Sequence, residues 1–349
     1  MTTIIDVAKR AKVSPATVSN AFNKPGRVGK ATLERVLSVA AEMNFQPNLM
    51  AHGLRSQKTG IVGIVVSDIR IAYTAQIAKG AQDRLRQAGK TALITNVGHD
   101  QASIRSHLLE LRQQGIRAFV MAPAPYRYDE ETRELILQML NDGMHMSFVS
   151  NELASFPADV VLWQAQEGAK TLVNHFAKLG HEKIAFVRLP LNKSTAGLKR
   201  WLGYQEGMHV MGLPLRDEYV FEGTLDFESG VRAANYLLNL PDPPTAILAN
   251  DDLMASGVIN RCYHMGIKIP ADLSIAGFSS LDMAQHLSPA LTTVGVSLEN
   301  MGRSAAELLL ERLDEPGQAP RKIHKDYELI IRESTGEVSG KEKADEQHR

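Results

Sequence analysis

The sequence predicts a small all-α helix–turn–helix headpiece joined to an α/β core of two lobes with parallel sheets. Three observations predict it. Apolar residues recur at helical spacing on both sides of a Ser-Pro turn within the first 23 residues. A strand–helix alternation then repeats from Ile61 to Ile331. Finally, the 39 basic and 39 acidic residues are unevenly placed: residues 1–58 hold nine Lys/Arg against three acids, leaving the remainder acidic.

The first helix is marked by Ile5, Ala8 and Ala11, which share one helical face. Lys12-Val13-Ser14 forms a turn. Ser14 is a natural N-cap, and Pro15 occupies the first helical position, where its missing N–H costs nothing. Val18, Ala21 and Phe22 make the apolar face of the second helix, leaving Ala16, Thr17, Ser19 and Asn20 outward. Small or amide side chains on that face let a helix sit deep in a major groove and touch base edges. Two amphipathic helices also occur in ordinary bundles. Here the basic residues are interleaved with the apolar pattern, which favours a folded surface that faces phosphates.

Pro47 is expected to close a third helix, since proline cannot continue one. Asn48 can cap another turn. The run Leu49–Leu54 is too short to be stable alone, and Gly53 weakens it by about 1 kcal/mol relative to alanine. Such a segment is expected to order only on a partner.

From residue 59 the length suits two similar α/β lobes. Lobe one reads as strand 61–66, helix 73–88, strand 91–95, helix 101–114, strand 118–122, helix 130–142 and strand 146–149. Lobe two reads as helix 166–179, strand 183–187, helix 195–211, strand 219–221, helix 229–240, strand 246–249, helix 252–265 and strand 273–278. A late helix over 299–313 and one strand over 325–331 end the pattern. Val/Ile-rich strands alternating with helices imply parallel sheets covered on both faces. The domains expected are a helix–turn–helix domain at 1–46, a hinge at 47–58, a two-lobed core at 59–335 and a charged, disordered tail at 336–349.

Asp6-Val7-Ala8, Val13-Ser14, Ala16-Thr17-Val18-Ser19 and Phe45-Gln46-Pro47-Asn48, followed by Ala51 and Leu54, carry a resemblance. The chain resembles the lactose/galactose-repressor family of bacterial transcription regulators, over nearly its whole length. The resemblance implies a hinge in which Leu54 wedges into the minor groove, with Arg55 beside it. It implies that Ala16 and Asn20, four residues apart on the helix that Pro15 opens, read bases. Asn20 can bond adenine in a bidentate way, and Ala16 can offer a methyl group to thymine. Thr17, Ser19 and Asn23 are assigned to phosphates or capping, and Arg27 to a further loop contact.

The core resembles periplasmic sugar-binding proteins, whose ligand lies in the cleft between lobes, at strand carboxyl ends. The resemblance implies three chain crossings between lobes. It also implies effector contacts from Arg200 and from Asn250, which precedes Asp251. Ile71, Tyr73, Trp163 and Phe227 are candidate walls. One departure stands out. Relatives carry an aromatic-Asp-Asp run where this chain has Phe278-Ser279-Ser280, and Ser150 stands where a relative has aspartate. With two carboxylates gone, the grip on a neutral sugar diol weakens. The expected effector is a sugar, sugar acid or phosphosugar, and the loss of the two carboxylates favours the anionic kinds.

Other chemistry is sparse. The single cysteine, Cys262, excludes a disulfide within the chain and a zinc cluster of cysteines. The eleven histidines show no metal spacing, and neither a P-loop nor a Gly-x-Gly-x-x-Gly run occurs. Asp251-Asp252 lacks an accompanying nucleophile. No enzyme activity, cofactor or metal is expected. No signal region and no apolar run of about 18 residues is present, so a cytoplasmic protein without a membrane partner is expected. The tail lacks leucine heptads, which favours a homodimer on a pseudo-palindromic, double-stranded operator. Two other classes compete. A solute receptor would not need the basic head, and an α/β enzyme with a fused DNA-binding module would need a catalytic constellation. An effector-gated transcriptional repressor fits best.

Overall fold

The computed structural model describes residues 2–23, 25–45, 60–98, 100–122, 128–149, 156–191 and 195–338. The hinge, with Leu54 and Arg55, lies outside these residues, as does Ser150. The chain divides into two compact units, Met1–Gly60 and Ile61–Arg349.

The first unit is three helices, α1 (Ile4–Ala11), α2 (Pro15–Asn23) and α3 (Lys30–Glu42). Thr3 and Asp6 form a capping box at the start of α1, and this holds the Asp6 carboxyl below its usual range. Lys12 takes a left-handed conformation and stops α1. Ser14 Oγ then accepts from the Thr17 amide at 3.0 Å and starts α2. Val7, Ala8, Ala11, Val18, Ala21, Val36 and Ala40 form the core. Ile5, expected on that face, is exposed; Val7 takes the inward position, because the face of α1 is centred between Val7, Ala8 and Ala11. Helix α3 also ends earlier than its proline implied. Asn44 turns left-handed and the Phe45 amide bonds back to the Ala40 carbonyl at 2.8 Å.

The second unit holds two six-stranded sheets. Lobe one contains β1 (Ile61–Val66), β2 (Thr91–Asn96), β3 (Ala118–Met121), β4 (His145–Val149), β5 (Asp159–Trp163) and β11 (Lys322–Lys325), in the order β11-β5-β4-β3-β1-β2, all parallel. Its helices are α4 (Ala72–Gln87), α5 (Gln101–Gln113), α6 (Glu130–Asn141) and α11 (Leu298–Asp314). Lobe two contains β6 (Ile184–Arg188), β7 (Val220–Glu222), β8 (Ala246–Ala249), β9 (Ser274–Phe278), β10 (Thr292–Gly295) and β12 (Glu328–Ile330), in the order β12-β10-β9-β8-β6-β7. Its helices are α7 (Ala165–Lys178), α8 (Thr195–Val210), α9 (Phe227–Leu238) and α10 (Asp252–Met265).

The chain crosses between lobes after β5, after β10 and after β11. The single late strand expected over 325–331 is therefore two strands, one in each lobe, and β12 runs antiparallel to β10 rather than parallel. Strand β5 was not anticipated as a strand. The ordered chain also continues past Thr335: the Gly336 amide bonds Ser274 Oγ at 3.0 Å, and the Val338 amide bonds the Leu179 carbonyl at 3.0 Å.

Glycines let the helices pair closely. A Cβ on Gly80 of α4 would meet the Glu299 carbonyl oxygen at 1.9 Å, and one on Gly302 of α11 would meet that of Ile77 at 1.9 Å. One apolar cluster runs from Ile64 and Val120 in lobe one through Trp163 and Phe278 to Phe186 and Leu248 in lobe two. It sets the floor against which the cleft residues stand.

Candidate functional site

Two sites need separate treatment, one in each unit. In the headpiece, Val18 and Ala21 turn α2 inward, so Pro15 and Ala16 are exposed and Asn20 is half-buried on the opposite side. Thr17 Oγ1 lies 2.9 Å from Ser14 Oγ, which commits it to capping. Ser19 is half-buried, and Arg27 is exposed in the short 3-10 turn Pro25–Arg27. Asn23 ends α2. The helix therefore offers small side chains and one amide, flanked by a guanidinium, which is the chemistry of a groove reader.

In the core, the carboxyl ends of β5, β8 and β9 bring together Trp163, Asn250 and Ser279, and α8 sends Arg200 among them. Arg200 is only 4% exposed. Its guanidinium sits over the Phe278 ring at 4.3 Å and beside Trp163 at 5.7 Å. Arg200 Nη1 donates to the Asn250 carbonyl at 2.6 Å, and Nη2 to Ser279 Oγ at 3.3 Å. No carboxylate is hydrogen-bonded to it among the described residues. Among the described residues, its Nε and both polar atoms of the Asn250 side chain are buried without a hydrogen-bond partner. Natural interiors leave few such atoms unpaired, so three of them together at a strand edge make this a candidate site for a ligand's polar groups.

Tyr73, in the first turn of α4, is half-buried. Burial raises its hydroxyl pKa, and the Arg200 charge opposes the rise. Ile71 is the extended residue before α4. Phe227 opens α9 and lines a depression of about 380 Å³ with Leu253, Ser256 and Met283, outside the contacts of Arg200. Thus Tyr73, Trp163, Arg200, Asn250 and Ser279 form one cluster, whereas Phe227 borders a different surface.

Two residues dismissed as a catalytic pair prove central to the site's build. Asp251 caps α10, accepting from the Met254 amide at 2.8 Å. Asp252 is fully buried and accepts from the Leu281 amide at 2.6 Å and from Thr293 Oγ1 at 2.6 Å. It thereby ties the head of α10 to the turn after β9, where Ser279 and Ser280 hold left-handed φ values of 107° and 54°. Burial pushes the Asp251 carboxyl up to about 6 and the Asp252 carboxyl up to about 7. The signal available in the sequence was a pair of acids between a small-residue strand and a helix, which reads as capping chemistry.

A cleft of this kind on a two-lobed α/β core, preceded by a groove-reading three-helix unit, defines a ligand-responsive DNA-binding regulator. Comparison with known proteins agrees. Residues 3–48 match the family model "Bacterial regulatory proteins, lacI family", and residues 173–335 match "Periplasmic binding protein-like domain". The HTH-type transcriptional repressor PurR of Haemophilus influenzae (strain PittEE) is 30% identical over 342 residues, covering 97% of this chain and 100% of the relative. The PurR repressor of Photobacterium profundum is 28% identical over 339 residues, covering 97% and 100%. Among solved structures, a CelR–cellobiose complex aligns with TM-score 0.70 at 26% identity, over 96% of this chain and 100% of its own. A lac repressor dimer bound to operator and the anti-inducer ONPF shares the fold with TM-score 0.85 at 23% identity, over 96% and 99%. The chain belongs to the lacI family of bacterial regulators. It is a DNA-binding transcriptional repressor with an effector-binding core, not an enzyme. No described helix is long and apolar enough to cross a membrane.

Proposed function

We propose that the protein represses from a pseudo-palindromic operator as a homodimer in the bacterial cytoplasm, gated by an anionic effector, a sugar acid or phosphosugar, in the interlobe cleft. The observation that carries the effector class is Arg200: a buried guanidinium that, among the described residues, is hydrogen-bonded to a carbonyl and a hydroxyl and to no carboxylate. Truncating a buried charge's partner costs several kcal/mol, so a buried cation of this kind is best completed by an incoming anion. Asn250 and Ser279 add donors and acceptors for hydroxyls. Ile71, the residue before α4, is proposed as a further wall; Ser150 is proposed from the resemblance alone, and Phe227 is set aside because it borders a different surface.

In the headpiece, Asn20 and Ala16 read bases, Pro15 starts the reading helix, Thr17 serves its cap, and Ser19, Asn23 and Arg27 hold the DNA backbone. Leu54 and Arg55 act from the hinge. The dimer is supported by apolar surface on both lobes: Leu93 and Ile94 are exposed on the edge strand β2, and Tyr263 is 78% exposed on α10. Effector binding shifts the balance between lobe arrangements and so the hinge's capacity to engage DNA.

Selection of bound duplexes from a random pool, with and without sugars, sugar acids and phosphosugars, tests this reading. A palindrome released or strengthened by one anionic compound is the expected outcome, and Arg200→Met should lose the response while keeping the palindrome. Enrichment of no palindrome would sink the operator reading, and a response to neutral sugars alone would sink the anionic one.

A further inference from the structure

We propose that the buried cluster of Arg200, Asp251 and Asp252 takes up a proton from solvent when an anionic effector binds, so that effector occupancy follows pH. The proposal rests on the anionic reading of the same cleft.

All three groups are more than nine-tenths buried: Arg200 is 4% exposed, Asp251 7% and Asp252 0%. With both carboxylates ionised, the cluster carries one net negative charge, and among the described residues neither carboxylate is hydrogen-bonded to the guanidinium, which donates to the Asn250 carbonyl and Ser279 Oγ. Among the described residues, Arg200 is the cation that acts on both carboxylates. At the start of α9, the capping Asp226, itself 3.8 Å from Arg232, adds negative charge beside Asp251. Lobe one contributes Tyr73, a neutral phenol whose pKa burial raises. The turn after β9 and strand β10 offer Asp252 the Leu281 amide and the Thr293 hydroxyl, both uncharged. Asp282, on the next turn, is exposed. An anion entering beside Arg200 therefore meets surplus negative charge in a low-dielectric site.

Protonating Asp252 removes that surplus without moving heavy atoms. As a carboxylate it accepts from Thr293 Oγ1 on Oδ1. As an acid it can carry the proton on Oδ1 and donate to Thr293 Oγ1, while Oδ2 still accepts the Leu281 amide. Asp251 is less suited, because its Oδ1 is committed to capping α10. Burial already favours the neutral form of Asp252, which supports the choice. Because coupling is reciprocal, an anion that binds the protonated cluster raises its proton affinity, and its apparent Kd rises about tenfold per pH unit above the cluster's midpoint.

Trp163 stands 5.7 Å from the Arg200 guanidinium and reports on the cluster directly. The full chain carrying Trp201→Phe leaves it as the sole tryptophan. Its fluorescence is expected to titrate with a midpoint between about pH 6 and about pH 8, and Asp252→Asn is expected to abolish that titration, while Asp282→Asn leaves it intact. Inorganic sulfate, a dianion throughout this range, is the ligand probe. It is expected to raise the midpoint, and to raise the core's Tm at about pH 6 but not at about pH 8. A flat wild-type titration overturns the proposal, as does a titration that survives Asp252→Asn. Equal stabilisation by sulfate at both pH values overturns the proton coupling and leaves the anionic effector standing. An intact titration with no response to sulfate, sugar acids or phosphosugars at either pH overturns the coupling and the anionic reading together.

Discussion

Asp252→Asn should make this protein more stable at alkaline pH, against the usual cost of changing a fully buried residue. The carboxyl has no solvent exposure and its pKa is pushed from 3.8 up to about 7, with desolvation the largest cause. A rise from 3.8 to about 7 corresponds to about 4 kcal/mol in favour of the neutral acid in the folded chain. The folded pKa of an acid lies above the unfolded one, so between them the native state binds a proton the unfolded chain does not. Stability therefore rises as pH falls from about 7 to about 4, and the ionisation penalty is present in full above about 7. Asparagine keeps the geometry: its oxygen accepts from the Leu281 amide, and its amide donates to Thr293 Oγ1, replacing the two bonds Asp252 makes. The variant is expected to gain a few kcal/mol over wild type at about pH 8 and nothing near pH 4. Urea unfolding of the core, followed by tryptophan fluorescence at both pH values, measures this. A variant less stable than wild type at alkaline pH, or a difference that does not change with pH, would show that attraction to Arg200 outweighs burial and would refute the reasoning.

Three other outcomes follow from the geometry. Asn20→Ala should relax one base position of each half-site by about 1–3 kcal/mol while leaving the salt dependence of binding unchanged, as read by competition among operator variants. Gly80→Ala puts a methyl group 1.9 Å from the Glu299 carbonyl oxygen; because backbone has to move, a loss of about 1–3 kcal/mol or more is expected in the core's unfolding transition, and a neutral result would mean that α4 and α11 slide apart freely. Ser279→Asp should place a carboxylate at Arg200 Nη2, where Ser279 Oγ now accepts at 3.3 Å, and so abolish the response to sulfate in thermal shift; a retained response would show that site charge does not select the effector.

Much of this was legible from local pattern. The Ser14 cap and the left-handed turn at Lys12 follow from short-range chemistry, and the β1, β8 and β9 runs of Val, Ile and Ala follow from burial on both faces. What failed to show was long-range. A period of residues cannot reveal that 322–330 divides between two lobes, because the break at Asp326-Tyr327 resembles a continuous polar-apolar run. Nor can it show that β12 turns antiparallel, since pairing direction is set by where the last crossing delivers the chain. Ile5 and Val7 stand two positions apart, about 200° round the helical wheel, so a face centred on Val7, Ala8 and Ala11 leaves Ile5 outward. Arg200, Asn250 and Ser279 could be named from resemblance. Asp252 could not, because its partners lie 29 and 41 residues away.

The placement of charge around Arg200 explains why the acids can be numerous in this core and yet leave a cation available. A carboxylate at the end of β9 would stand beside Arg200 Nη2 and satisfy it. Here Ser279 takes that place, and the two carboxylates stand at the head of α10, Asp251 bonded to α10's own backbone and Asp252 to the turn behind. They act on Arg200 through space rather than by hydrogen bonds. Burial weakens the hold on charge in all three groups, so the balance of the site is set by small terms of opposite sign. The carboxylates at the head of α10 therefore act on Arg200 from a distance, and among the described residues its Nε–H has no hydrogen-bond partner.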